Sequence, residues 1–569
     1  MAKTYLEVSP NANILLVDQA QSVGGTWASE RLYPGLKTNN LVGSYEFSDF
    51  PMIPEKYGLK SGQHIPGTVV HQYFHDFAEH FDLYPRLLLR TKVISAKLME
   101  YGHWVVCIQT ESVSASEHPK TRSLVASKLV MATGLTSNPH LPTLQGQGNY
   151  QGLILHSKDL GSRVSHLASS TSTVVVGGNK SAWDACYNAA KSGAQVDMVI
   201  RPTGGGPSYV WPASFRLFGF KTSLARLSST RLFTCFDPYL YKDTGSLAPF
   251  RRFLHQTRIG QAIMWAFWRG LDTFVKRLNQ YDSDPQLAKL KPWTTPFWIG
   301  NSLSIHNYED SWFDLVRKGR IRVHVADIAL LSQSKVHLSN GVVLDADTII
   351  CCTGWKAESA VRLERHSIGE DLLLRPESRQ STLNMDDAVA ESIYHQLPYL
   401  QTLPKRESNA PQVVNYRHCV SREHQSNKYE LYRFMVPSER QFIEHRNLAF
   451  IGAHSSIHAT MVAQVQALWI TALFRGDIRH LNDPNIRFES IEYDAKFYNV
   501  YGEIRRPTLT GGAGRKYPDL VFDSLPYIDT LLQDLHLRTH RKPSLFREIF
   551  EPYRLEDYRD LVEEWKACI

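Results

Sequence analysis

A chain of 569 residues has room for roughly two to four domains of ordinary size. With 43% hydrophobic and 21% charged residues it has a globular make-up, which excludes a disordered chain, a collagen and a disulfide miniprotein. Lys+Arg exceed Asp+Glu by 63 to 56, giving +7 with no basic run, so nucleic-acid binding has no support.

The seven cysteines are Cys107, Cys186, Cys235, Cys351, Cys352, Cys419 and Cys568. An odd count without CxxC fits a reducing, intracellular compartment and no metal centre. The first residues show no signal peptide, and no run of ~18 apolar residues occurs. The expected location is cytoplasmic. The most apolar stretch, Ile259 to Val275, is broken by Arg269 and Asp272. It reads as a buried packing helix, with peripheral membrane contact as the alternative.

In chain order, Ala2 to Val8 reads as the end of an amphipathic helix, followed by a turn and the strand Ile14–Val17 ending at Asp18. A helix, then a strand that ends in an acid, is the second half of a βαβ unit. Val69 to Phe81 reads as a helix, and Leu87–Leu89, His103–Gln109 and Lys128–Ala132 as strands. Thr173–Val176 is a β-branched strand that runs into Gly177-Gly178-Asn179-Lys180-Ser181 and a helix to Ala190. Val196–Ile200 follows, ending at Arg201. Residues 204–301, rich in Trp, Phe and Arg, read as a mostly helical insertion. Ile321–Val325, Val342–Leu344 and Thr348–Cys352 restore the strands, and 357–411 reads as irregular. Leu448–Gly452 is a strand leading to a helix over 460–474, and 477–569 forms a tail.

The strand–Gly turn–helix–strand unit at 173–201 is a dinucleotide-binding pattern. Its small residues let the backbone approach a pyrophosphate, and the helix N-terminus supplies N–H groups. Arg201, where an acid would favour NAD, suits the 2′-phosphate of NADP, and Lys180 offers a second positive contact. The other ordered signals are Gly24-Gly25-Thr26-Trp27, Tyr33-Pro34-Gly35-Leu36-Lys37-Thr38-Asn39, Phe47–Pro51, Thr133-Gly134, Tyr150-Gln151-Gly152…His156, Thr353-Gly354, Gly452 and Gln464–Trp469. Adjacent Cys351 and Cys352 in an apolar strand read as core packing. His156, His454 and His458 have packing readings beside functional ones. Trp211, Trp265 and Trp268 read as a packing layer, with a substrate entrance or membrane contact as alternatives.

In that order these motifs resemble class B flavin-containing monooxygenases, in particular the fungal dimethylaniline-monooxygenase-like group, over residues 1 to about 480. The resemblance implies an α/β fold of two Rossmann-like dinucleotide-binding domains, the NADPH domain inserted in the FAD domain. The expected segments are 1–160 (FAD domain, first part), 161–345 (NADPH domain, with a helical insertion over about 205–300), 346–480 (FAD domain, second part) and 481–569 (extension). Asp18 would meet the FAD ribose. Gly24, Gly25, Thr26, Trp27 and Thr38 would line the flavin side. Thr133-Gly134 and Thr353-Gly354 would hold the crossovers between domains. Gly177, Gly178, Asn179, Lys180, Ser181 and Arg201 would hold NADPH. Asn39 matches the family's flavin-proximal Asn and is the expected catalytic residue.

The implied reaction is reduction of FAD by NADPH and formation of a C4a-hydroperoxide with O2. A small organic substrate is then oxygenated, in the setting of fungal secondary metabolism. Baeyer–Villiger oxidation is the alternative within enzymes. One departure stands out: no strand and G-x-G-x-x-G turn precede Asp18. An incomplete start and a catalytically silent homologue or scaffold are the competing explanations, and the intact downstream motifs favour the first.

Overall fold

The computed structural model describes residues 1–111, 119–217, 219–241, 245–300, 303–356, 361–365, 379–402, 404–406, 410–411 and 430–569. In the first lobe, helix α1 (Ala2–Val8) leads to strand β1 (Leu16–Val17), then to β2 (Lys37–Leu41), β3 (His64–Pro66), helix α2 (Gly67–His80), β4 (Leu87–Leu88) and β5 (Leu129–Met131). β1 and β4 form one parallel ladder, and β5 forms another with a late strand, Leu448–Phe450. An antiparallel sheet of Arg362–Arg365, Thr91–Leu98, Trp104–Thr110 and Lys120–Ala126 flanks them.

The second lobe is built on five parallel strands. They are β6 (Leu153–His156), β7 (Ser172–Val176), β8 (Gln195–Ile200), β9 (Ile321–Val325) and β10 (Thr348–Cys351), in spatial order β9-β8-β7-β10-β6. The sheet takes in 153–156 and 348–351, which lie outside the segment 161–345 expected for this domain. β-branched runs such as Thr173–Val175 are buried on both faces, as a covered parallel sheet requires. The exception, Asp197 on β8, is held by Arg322 (2.6 Å) and His324 (2.8 Å). One register row crosses the C-terminal edge: Val199, Val176, Cys351, His156. Helix α3 (Lys180–Lys191) follows β7 and packs Ala182, Ala185, Cys186 and Ala189 against the sheet, at the three- and four-residue spacing of one face.

The insertion is not only helical. Tyr209–Pro212 pairs in parallel with Leu303–His306, and Phe215–Leu217 forms a hairpin with Phe220–Thr222. Helices α4 (Ala248–Gln256) and α5 (Arg258–Asn279) complete it. Trp211 and Trp268 are fully buried in its core, so they pack rather than line an entrance. The stretch expected to be irregular contains α6 (Arg379–Gln396), whose Val389 and Ile393, with Leu397 beyond its end, stack at four-residue intervals into that same core. After β11 (Leu448–Phe450), α7 (Ala459–Arg475) is buried on almost every side. α1 packs against it through Tyr5 and Phe474. The tail is a folded layer, with α8 (Phe488–Arg505) and α9 (Ser524–Asp534) sealing the core around Trp469. Cys351 and Cys352 face opposite sides of the sheet, into different clusters, and both are free thiols.

Candidate active site

The first mouth opens where the short parallel strands end. Past β1, Asp18 accepts the Ala20 N–H on Oδ1 (2.9 Å). Gly24 (φ +113°) then caps a tight turn over 25–27. Gly25 (φ +59°) has nothing within 4 Å of the position a Cβ would take. Gly134 after β5 (φ +62°) and Gly452 after β11 (φ +70°) border equally open space. The loops are tied together: Thr26 and Thr136 share a hydroxyl hydrogen bond of 3.0 Å, and Ile451 N–H donates to the Met131 carbonyl. Thr133 is exposed beside Gly134. The Trp27 indole donates to Tyr45 (2.9 Å), which anchors that turn in an aromatic cluster.

β2 forms a shelf beside this mouth. Its side chains alternate: Thr38 and Asn40 are buried and Asn39 is exposed. The Thr38 hydroxyl donates to the Asn40 carbonyl (2.6 Å) and accepts from Ile65 N–H (3.1 Å). Its hydroxyl is thus engaged in holding the hairpin. Asn40 Nδ2 donates to the Ile457 carbonyl (2.9 Å), just before α7. Asn307 Nδ2 donates to the Thr38 carbonyl (3.2 Å). The backbone is clamped from two sides, and the Asn39 amide projects from the opposite face.

The crossovers meet between the lobes. Segment 136–140 runs antiparallel to 353–356: His140 N–H donates to the Gly354 carbonyl (3.0 Å) and Lys356 N–H to the Asn138 carbonyl (2.9 Å). Thr353 donates its hydroxyl to the His140 carbonyl. His156, fully buried, completes the joint. Its Nδ1 accepts from Lys158 N–H (3.1 Å), so Nε2 carries the proton and donates to the Gly354 carbonyl (3.0 Å). Burial lowers its pKa, which keeps the ring neutral. Tyr150 donates to the Ala346 carbonyl (2.9 Å), and Gly152 leaves room for that ring, since a Cβ there would lie 2.5 Å from the Tyr150 oxygen.

The second mouth lies at the end of β7. Gly177 (φ +139°) passes Cys352 so closely that a Cβ would stand 2.5 Å from its carbonyl oxygen. Gly178 is equally close to Gly206, at 2.6 Å. Asn179 caps α3 without a side-chain bond, and Ser181 is exposed on the first turn. The first N–H groups of α3 therefore face outward without intrahelical acceptors. Lys180 already has partners within the chain. Its ammonium turns back onto Asp184 and the Tyr308 hydroxyl (3.1 Å). Arg201 is exposed beyond β8 and lies over Gly204.

A model of the flavin-binding monooxygenase-like family matches residues 18–211. The chain is 33% identical to FAD-dependent monooxygenase rstn6 of Aspergillus nomiae, over 100% of this chain and 96% of that protein. It is 34% identical to FAD-dependent monooxygenase resA of Aspergillus sclerotiorum, with the same coverage. The chain belongs to the flavin-binding monooxygenase family. A solved structure of a cyclohexanone monooxygenase variant from Rhodococcus sp. Phi1 bound to NADP+ shares the fold, with a TM-score of 0.57 at 13% identity over 94% of this chain and 95% of that one. This chain is thus a flavin-dependent monooxygenase of α/β class.

Asp184 and Lys516 lie beside the two mouths without a motif in the sequence, and Tyr33 and Gln466, which lie in motifs, find partners the motifs do not reveal. Asp184 on α3 accepts from Tyr33 of the first lobe (3.0 Å), from Tyr308 (2.8 Å) and from Lys180, tying the lobes together. Burial, reinforced by Asp184, raises the pKa of both tyrosines. Gln466 on α7 accepts the Gly452 N–H (3.2 Å) and donates to Tyr527. Lys516, from the tail, lies near Arg201: burial and repulsion by that guanidinium lower its pKa. Its loop reaches the second mouth through glycines, with Gly511 against Gly205 and Gly206 against Gly178. The contacts of this tail loop with Arg201 and Gly205 join segments about 300 residues apart, and only composition (Gly511-Gly512-Ala513-Gly514 before two cations) hints at them. An open cleft of about 480 Å³ is lined by Phe215, Phe274, Leu278, His306 and Phe313.

Proposed function

We propose that this monooxygenase binds FAD at the first mouth and NADPH at the second. It would use them to transfer one atom of O2 to a small organic molecule, the other leaving as water. The carrying observation is the open space beside Gly25, Gly134 and Gly452 next to the clamped shelf that presents Asn39. Each of these glycines has a left-handed φ, and a side chain there would fill the opening. The residues therefore fit a flat ring system laid against backbone. Bound there, FAD supplies the electron transfer and the activation of O2.

The protein's own contribution is orientation and exclusion of water. Asn39 offers an amide donor from a backbone that cannot shift, and the dry, neutral His156 joint keeps the two mouths in register. Asp18 keeps Oδ2 for a ribose hydroxyl. The outward N–H groups of Asn179, Lys180 and Ser181 at α3 meet the pyrophosphate of NADPH, helped by the helix dipole. Arg201 and Lys516 place two positive charges for the 2′-phosphate. Lys180 acts at one remove, through Asp184.

The test is direct. Purified and supplied with FAD, the chain should be yellow with a flavin spectrum. NADPH should bleach it without O2, and O2 should restore the colour. A protein that retains no flavin and gives no NADPH-dependent bleaching overturns the reading.

A further inference from the structure

Helices α4 and α5 meet at a sharp corner with only Thr257 between them. The Thr257 hydroxyl accepts the Gly260 N–H (3.0 Å) and starts α5 cleanly. Gly260 lies directly on the Phe253 carbonyl and Leu254, so the two helices touch along their backbones. One side of this corner is core: Leu254, Met264, Trp268 and Val275 are buried. The other side is unusual. Phe250 and Phe253 on α4 and Ile259 and Ile263 on α5 are exposed, Ile259 to 70%. The spacings of three and four residues keep each pair on one helix face.

Charge separates this patch from ordinary surface. No Asp or Glu occurs between residues 244 and 271, while Arg252, Arg258 and Arg269 are exposed. Among the described residues none of these three has an acidic partner. Arg251 is already engaged on Tyr239. Single exposed apolar residues are common, but two Phe and two Ile exposed on an acid-free stretch of chain that also exposes three arginines are the pattern of a helix lying in a lipid headgroup layer. No helix among the described residues is long and apolar enough to cross a membrane, so contact would be with the surface. A second copy seated isologously would set these arginines against themselves, with no acid on the segment to offset them.

We infer that the α4–α5 corner is a docking surface for an anionic bilayer, with Phe250, Phe253, Ile259 and Ile263 entering the interface and Arg252, Arg258 and Arg269 meeting lipid phosphates. The experiment is co-sedimentation of the full FAD-loaded chain with vesicles of phosphatidylcholine alone or with about 30% phosphatidylserine. The chain should pellet with the anionic vesicles and be released by about 0.5 M salt. Ile259→Glu/Ile263→Glu should weaken binding about tenfold or more, and Arg252→Glu/Arg258→Glu should abolish the preference for phosphatidylserine. Both pairs are exposed, so unchanged circular dichroism and flavin content will show intact folding. Three outcomes overturn the inference: no pelleting with either vesicle, an isoleucine variant that binds like wild type, or a wild-type dimer in light scattering that this variant converts to monomer.

Discussion

At Asn39 the proposed chemistry rests on an exposed amide with no partner among the described residues, carried by a strand whose flanking Thr38 and Asn40 side chains are engaged. Asn39→Ala should leave the fold within about 0.5 kcal/mol of wild type, because that side chain is exposed. Product formation should fall by ~10², with NADPH still oxidised and hydrogen peroxide released instead. Coupling, read as product per NADPH, is the measurement. His156 makes the opposite case. Both ring nitrogens of this fully buried histidine are spent on backbone groups. His156→Phe orphans the Lys158 N–H and removes a donor from Gly354, so denaturant unfolding should show a loss of about 2 kcal/mol or more. The ring is held neutral, so the pH profile of NADPH oxidation by His156→Asn should keep the wild-type inflections. A vanished inflection would make His156 an acid–base group instead.

The same contrast separates the glycine turns as elements. Gly177 is fixed by both φ and the Cys352 carbonyl, whereas Gly25 is fixed by φ alone, with open space beyond. Gly177→Ala should destabilise by about 3 kcal/mol or more, since a Cβ must displace backbone. Gly25→Ala should cost only about 1 kcal/mol yet lower flavin occupancy, because the methyl enters the opening. Comparing unfolding midpoints with flavin content per chain checks the pair. These turns were legible in the sequence because strand, glycine and helix signals are local: β7, α3, β8 and β9 stand within a residue or so of their expected places. The insertion strands and α6 were not. Tyr209–Pro212 is too short for a clear period, and α6 declares its buried face only through Val389, Ile393 and Leu397, against a partner layer far away in sequence. Lys180 was half legible for a related reason: its charge was visible, but its partners, Asp184 one turn on and Tyr308 from another segment, were not.

Over the whole molecule, the histidines record how dry these joints are. Burial lowers the pKa of His255, His306, His454 and His458 to about 4 each. An unfolded chain protonates them near 6.5, so their contribution to stability is complete above that pH. It is lost as the pH falls from 6.5 through 4. Asp523 works the other way. Burial, with Asp237 nearby, pushes its pKa up to about 8, so its contribution is complete at low pH and disappears as the pH rises toward 8. Between pH 4 and 6.5 four histidines oppose one carboxyl, and stability should climb with pH, by roughly 4 kcal/mol per unit at the steepest. Above pH 7 Asp523 outweighs the histidines, and stability should decline gently. Urea midpoints measured from pH 4.5 to 8.5 should therefore peak near 7, with the acid side much the steeper. A profile flat from pH 7 to 5 would mean that the four rings are hydrated in solution and that the joints around α7 and the insertion are open to water.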